Sequence, residues 1–206
     1  MRKKFYIFFV VLFFTQCFEY NEKIYIYPNL TGKVALEYKI PINDLTGNSL
    51  ISFLPSKKEK FEEIYQIKTQ LFEVENVLPI ISNFPYKKIK LEFSYNNITE
   101  LENKIYGITE ISKIGNTIII KRTFKYLQYK KMDHPIYNFF YEFIYDKIKD
   151  GMLNFSIYVP AYFDIITNTG NLPLPGTINL QFPLDKLFEL NKEFIWVITI
   201  KVNPTP

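Results

Sequence analysis

Hydrophobic and polar positions alternate over much of the chain, with a period of two. Val34, Leu36, Tyr38 and Ile40 share one parity of residues 33–40, and Lys33, Ala35, Glu37 and Lys39 share the other. This is the pattern of a half-buried strand. A shorter strand is expected at 23–27, and Pro28-Asn29-Leu30-Thr31-Gly32 between the two reads as a hairpin loop. Residues 88–95 alternate again through Ile89, Leu91, Phe93 and Tyr95. Further strands are expected at 108–114 and 117–125, joined at Gly115-Asn116, a two-residue hairpin signal. Others follow at 152–159, 162–167, 177–182 and 193–202, the last running Phe194, Trp196, Ile198, Ile200, Val202.

Two segments change period. Ser56 and Glu59 fit a capping box, and Phe61, Ile64, Tyr65, Lys68 (by its stem), Leu71 and Phe72 recur at helical spacing, which predicts an amphipathic helix over 56–72. Residues 135–149 predict a second helix, with Ile136, Phe139, Phe140, Phe143, Ile144 and Ile148 as a stripe and Tyr137, Tyr141 and Tyr145 along its flank. Gly151 supplies a C-terminal stop. A short helix fits 97–104. The expected fold is α+β: a curved antiparallel β-sheet of about eight strands, with two or three helices packed on one face.

The first seventeen residues follow a different rule. Arg2, Lys3 and Lys4 precede an unbroken apolar run from Phe5 to Phe14, then Thr15, Gln16 and Cys17. That is the tripartite pattern of a secretory signal peptide, with an apolar run about half the ~20 residues a membrane-spanning helix needs. Cys17 is the single cysteine of the chain and stands at the expected cleavage point. We read Phe14-Thr15-Gln16-Cys17 as a lipobox of the looser spirochaete type, in which a diacylglyceryl group on Cys17 anchors the mature N-terminus. Residues 1–16 are then a cleaved signal and 17–206 a single domain.

Composition narrows the chemistry. The full chain of 206 residues carries a formal charge of +4. Removing residues 1–16 takes away three cations and no anions, which leaves +1. The only arginine beyond the signal is Arg122. Nucleic-acid binding, which needs a basic stripe, is not expected. One His and one Cys exclude multi-His and multi-Cys metal sites, so neither metal nor cofactor is expected. His134 has no Gly-x-Ser-x-Gly elbow to serve, and Glu62-Glu63 and Glu73/Glu75 read as solvated faces rather than acid–base pairs. Phe and Tyr are heavy, at 20 and 16 residues. An apolar pocket between the second helix and the sheet, lined by Phe139, Phe140, Phe143 and Ile144 with Tyr141 near its mouth, would suit an acyl chain.

The chain resembles small bacterial lipoproteins of the LppM type. The resemblance runs from Cys17 through Glu22–Tyr27 and Gly32–Tyr38. It resumes at Ser156-Ile157-Tyr158-Val159-Pro160, Ile165–Gly170 and a closing strand carrying Trp196. It implies an α+β, lipid-associated envelope protein without established catalysis. The expected function is therefore non-enzymatic: a membrane-anchored protein that binds a lipid or other apolar ligand. The alternative is a surface protein-interaction module or adhesin.

Overall fold

The structure, a computed structural model, describes residues 18–43, 45–51, 54–77, 85–124, 149–189 and 193–203. These form eleven strands in two open sheets. The first sheet has the order β3-β4-β2-β1-β7-β10-β9, with β1 Glu19–Ile26, β2 Gly32–Pro41, β3 Leu71–Val77, β4 Tyr86–Tyr95, β7 Met152–Tyr158, β9 Asn171–Leu174 and β10 Thr177–Pro183. The second has the order β5-β6-β11-β8, with β5 Ile108–Ile114, β6 Thr117–Phe124, β8 Asp164–Thr167 and β11 Phe194–Lys201.

Strand alternation places the core. In β1 and β2 every second residue is buried, and the same holds along β7 and β11. The inward faces of the two sheets meet through aromatic rings. Phe155 of β7 lies 5.0 Å from Phe124 of β6 and 6.2 Å from Trp196 of β11, centroid to centroid. Phe182 of β10 continues the cluster to Phe194 at 5.4 Å. Such offset and edge contacts add to the area each ring buries.

The β1–β2 and β5–β6 hairpins stand where alternation put them. At the second, Gly115 takes the left-handed φ of 58° that its turn requires. Gly32 has a different reason to be glycine. A Cβ there would lie 1.8 Å from the Tyr25 carbonyl oxygen and 2.4 Å from the Tyr95 hydroxyl. That hydroxyl donates to the same carbonyl at 2.8 Å, so three strands are pinned at one point.

The α+β expectation is corrected to a β-rich fold. One curved antiparallel sheet of about eight strands becomes sheets of seven and four, and β1 pairs with β7 in parallel, Asn21 opposite Asn154. The first helix is also shorter than its pattern. Helix α1 spans Lys58–Tyr65 and stops where Gln66 turns left-handed at φ 51°. Leu71 and Phe72 belong to β3 instead, opposite Glu92 and Leu91 of β4. Phe72 still meets Phe61, with ring centroids 6.5 Å apart, because the strand folds back beside the helix. Helical spacing in sequence thus recorded two packed elements. The expected capping box is absent as well: Lys57 is the N-cap without a side-chain bond, and Ser56 Oγ donates to the Gly47 carbonyl at 2.7 Å. The segment near 97–104 is a 3-10 turn over Ile98–Leu101, and a five-residue helix, α2, spans Asp185–Glu189. The second expected helix, 135–149, lies outside the described residues except for Lys149. Among the described residues no helix is long and apolar enough to cross a membrane.

Candidate functional site

Three places carry chemistry. The first is inside. Glu22 of β1 and Arg122 of β6 share the inward parity of their strands and are 1% and 0% exposed. Arg122 Nη1 donates to Glu22 Oε1 at 2.5 Å and Nη2 to Oε2 at 3.2 Å, a bidentate pair joining the two sheets. Nη2 also donates to the Tyr106 carbonyl, and the Tyr20 hydroxyl donates to Glu22 Oε2 at 2.7 Å. The rings of Phe124 and Phe155 lie 5.1 and 4.8 Å from the guanidinium carbon. Burial holds the Tyr20 hydroxyl well above its ordinary pKa, and the Glu22 carboxylate beside it adds to the effect. Burial likewise raises Tyr65 and Tyr106. The two charges compensate each other and fasten the sheets together, while the buried Arg122 Nε has no hydrogen-bond partner.

The second place is the outer face of the seven-stranded sheet. Register sets Lys90, Glu37, Asn21, Asn154 and Gln181 in one row across five strands, and Glu92, Ala35, Lys23, Ser156 and Asn179 in the next. Ala35 is the shortest side chain of its row, and a hollow of about 480 Å³ opens there between Tyr25, Glu37, Lys90 and Glu92. A second hollow, about 320 Å³, lies over Asn154, Ser156, Asn171 and Asn179. Asn154 Nδ2 donates to Asn21 Oδ1 at 2.9 Å, while the side-chain oxygens of Asn154 and Asn179 have no hydrogen-bond partner. Lys88 holds Glu37 at 2.7 Å, and Lys33 sits 3.6 Å from Glu92. This face can hydrogen-bond a polar group. Its lining does not suit an acyl chain.

The third place is the end of the molecule where β1 begins. Phe18, one residue after Cys17, is 0% exposed, and β1 starts at Glu19. The aromatic cluster runs to the same end, where Phe182 and Phe194 are only partly buried. The described chain leaves at Phe124 beside them and re-enters at Lys149, whose carbonyl accepts from Asp185 N at 3.1 Å.

The sequence-derived site residues fall as follows. Cys17, Phe139, Phe140, Tyr141, Phe143, Ile144 and His134 lie outside the described residues. Glu62 accepts from both Thr69 N at 2.8 Å and Thr69 Oγ1 at 2.7 Å. Those two bonds, with Lys58 nearby, lower its pKa, so it braces the turn after α1. Glu63 pairs with Lys60 at 2.9 Å, and Glu73 and Glu75 lie on the edge strand β3 opposite Lys90 and Lys88. None of these carboxylates forms a facing pair. Among the described residues no group of three or more His, Cys, Asp and Glu could hold a metal ion. The Glu22–Arg122 pair went unread because the first strand was expected to begin at Lys23. The signal available was an arginine at the inward parity of Ile118, Ile120 and Phe124.

Comparison with known proteins adds a family. The profile of the LIC11874-like family matches residues 12–204. The chain belongs to the LIC11874-like family. Its fold is similar to that of the folded domain of LppM from Mycobacterium tuberculosis, solved by NMR. That likeness has a TM-score of 0.50 and 14% identity, and covers 92% of each chain. The LppM-type resemblance read from the sequence therefore holds at the level of fold. No curated protein matches this LIC11874-like chain in sequence.

Proposed function

We propose that this LIC11874-like protein is a non-enzymatic envelope lipoprotein, held to a bilayer by acylated Cys17, that binds a lipid or other apolar ligand. The observation that carries the reading is the end where β1 begins. The buried body starts at Phe18, one residue beyond the lipobox cysteine, and the interior aromatic cluster reaches that same end with Phe182 and Phe194 still partly open. An acyl chain entering there would meet rings rather than charge. Tethering at Cys17 would keep the entrance within reach of membrane lipid and raise its effective concentration.

Two measurements test it. Cys17→Ser should release the chain from membranes into the soluble fraction; membrane association unchanged by that substitution would overturn the anchor. Native and denaturing mass spectrometry of the detergent-extracted protein should show one additional lipid that denaturation removes, besides the covalent acyl mass. A native mass equal to the denatured one, with no uptake of added phospholipid, would overturn ligand binding.

A second reading, a surface module that recognises another protein, is supported by the strand edges. Leu174 of the edge strand β9 is 67% exposed and Ile166 of the edge strand β8 is 71% exposed. Loss of partner recognition after Leu174→Lys, with lipid content unchanged, would favour it over the first.

A further inference from the structure

We propose that the body docks end-on against the bilayer, with Leu45 as the inserted side chain. The inference rests on the Cys17 anchor and goes beyond it. Acylation alone would leave the domain free to tumble if a long tether followed. Here Phe18 is wholly buried, so one Cα–Cα step of about 3.8 Å separates the lipidated residue from the core. The end of the molecule facing the membrane is therefore fixed by the chain itself.

Among the described residues, the most exposed large apolar side chain belongs to that end. Strand β2 ends at Pro41, opposite Tyr86, whereas β1 begins opposite Lys39, so the chain after β2 continues past the level of the anchor. Ile42 then bridges Ser49 to close a tight turn. Asn43 Oδ1 accepts from Leu45 N and Thr46 N, both at 3.0 Å, and Asn43 N donates to Asn48 O at 2.8 Å. Gly47, at φ 65°, offers its carbonyl to Ser56 Oγ at 2.7 Å and to Lys87 Nζ at 3.4 Å. The turn is pinned from both sides, and Leu45 at its tip is 96% exposed, the highest among the exposed large hydrophobics of the described residues. Moving that side chain from water into hydrocarbon would gain the transfer free energy of one leucine.

Charge is not the attraction. Glu19, Asp150 and Asp185 share this end with Lys39, Lys87, Lys88, Lys149 and Lys186, Lys88 is engaged by Glu37, and Asp44 precedes Leu45 in sequence. Docking should therefore depend neither on anionic lipid nor on salt.

The test uses the full chain, acylated in its host, with Leu45→Cys labelled by an environment-sensitive fluorophore. The Cys17 thiol is consumed by its lipid, so the label goes to position 45. Lys113→Cys, beside the Gly115 turn at the opposite end, is the control. On phosphatidylcholine vesicles the position-45 probe should brighten several-fold and shift to shorter wavelength, equally at low and high salt, while the position-113 probe keeps its aqueous spectrum. A chain that floats with the vesicles while the position-45 probe stays aqueous would overturn the docking and leave the anchor standing. A response confined to anionic vesicles and abolished by salt would also overturn it, in favour of attachment by charge. A chain that does not float at all would overturn the anchor, and the docking with it.

Discussion

Arg122→Met is the most informative single change to the described interior. The guanidinium is fully buried, forms both arms of a bidentate pair with Glu22, bonds the Tyr106 carbonyl and packs against two adjoining phenylalanine rings. Methionine restores much of the apolar stem but none of the donors. Glu22 would keep one hydrogen bond, from Tyr20, in a site closed to water. Removing one partner of a buried pair costs about 3–5 kcal/mol, because the other charge stays buried. Against a total stability of about 5–15 kcal/mol that is a large fraction. With a urea slope of about 1–3 kcal/mol per molar, the unfolding midpoint should fall by roughly 1–5 M. The assay is urea unfolding of the unacylated Cys17→Ser chain, followed by Trp196 fluorescence, since the indole packs on Phe155. Glu22→Leu combined with Arg122→Met removes both charges and should be less damaging than Arg122→Met alone. A single variant within 1 kcal/mol of the parent, or a double variant worse than the single, would refute the account of the pair as a charge-compensated fastening.

Two further outcomes follow from the same framework. Gly32→Ala should destabilise the fold by about 3 kcal/mol, at the upper end of overpacking costs, because the obstructing atom at 1.8 Å is the backbone oxygen of Tyr25 rather than a movable side chain; thermal unfolding of the variant checks this. Burial raises the pKa of Tyr20, Tyr38, Tyr65, Tyr95 and Tyr106 above 10.0. A folded pKa above the unfolded one contributes stability that is complete below the unfolded value and lost as pH rises beyond it. Absorbance at 295 nm should thus show the buried set ionising only together with cooperative alkaline unfolding. Smooth ionisation of every tyrosine near pH 10, with the fold intact, would contradict it.

Elements with one wet and one dry face were legible in the sequence. β2, β4, β6 and β11 each bury alternate residues, and their bounds follow the alternation closely. Period alone does not name a strand's neighbours, which is why the division into two sheets and the parallel β1–β7 pairing were not. β9 escaped notice because all four of its residues are exposed and Pro173 interrupts it. The overlong first helix had a physical cause too, since Phe61 and Phe72 do pack together, but across a turn. At the candidate site, the reading of Cys17 rests on the signal pattern, and the residue lies outside the described ones. Leu45 was not legible, because an isolated leucine in a polar loop has no period; only its exposure on a pinned turn distinguishes it.

The parallel pairing of β1 with β7 also sets an order of events. Asn21 and Asn154 bond side chain to side chain across 133 residues of sequence. During synthesis β1 emerges before β7 and finds β2 at once through a short hairpin. Its other edge, in the middle of the finished sheet, stays a bare row of amides and carbonyls until residues 152–158 arrive. Non-local closure of that kind is slow, and an open edge invites pairing with other chains. That edge therefore stays uncovered for most of synthesis, and a chain truncated before residue 152 carries it uncovered permanently.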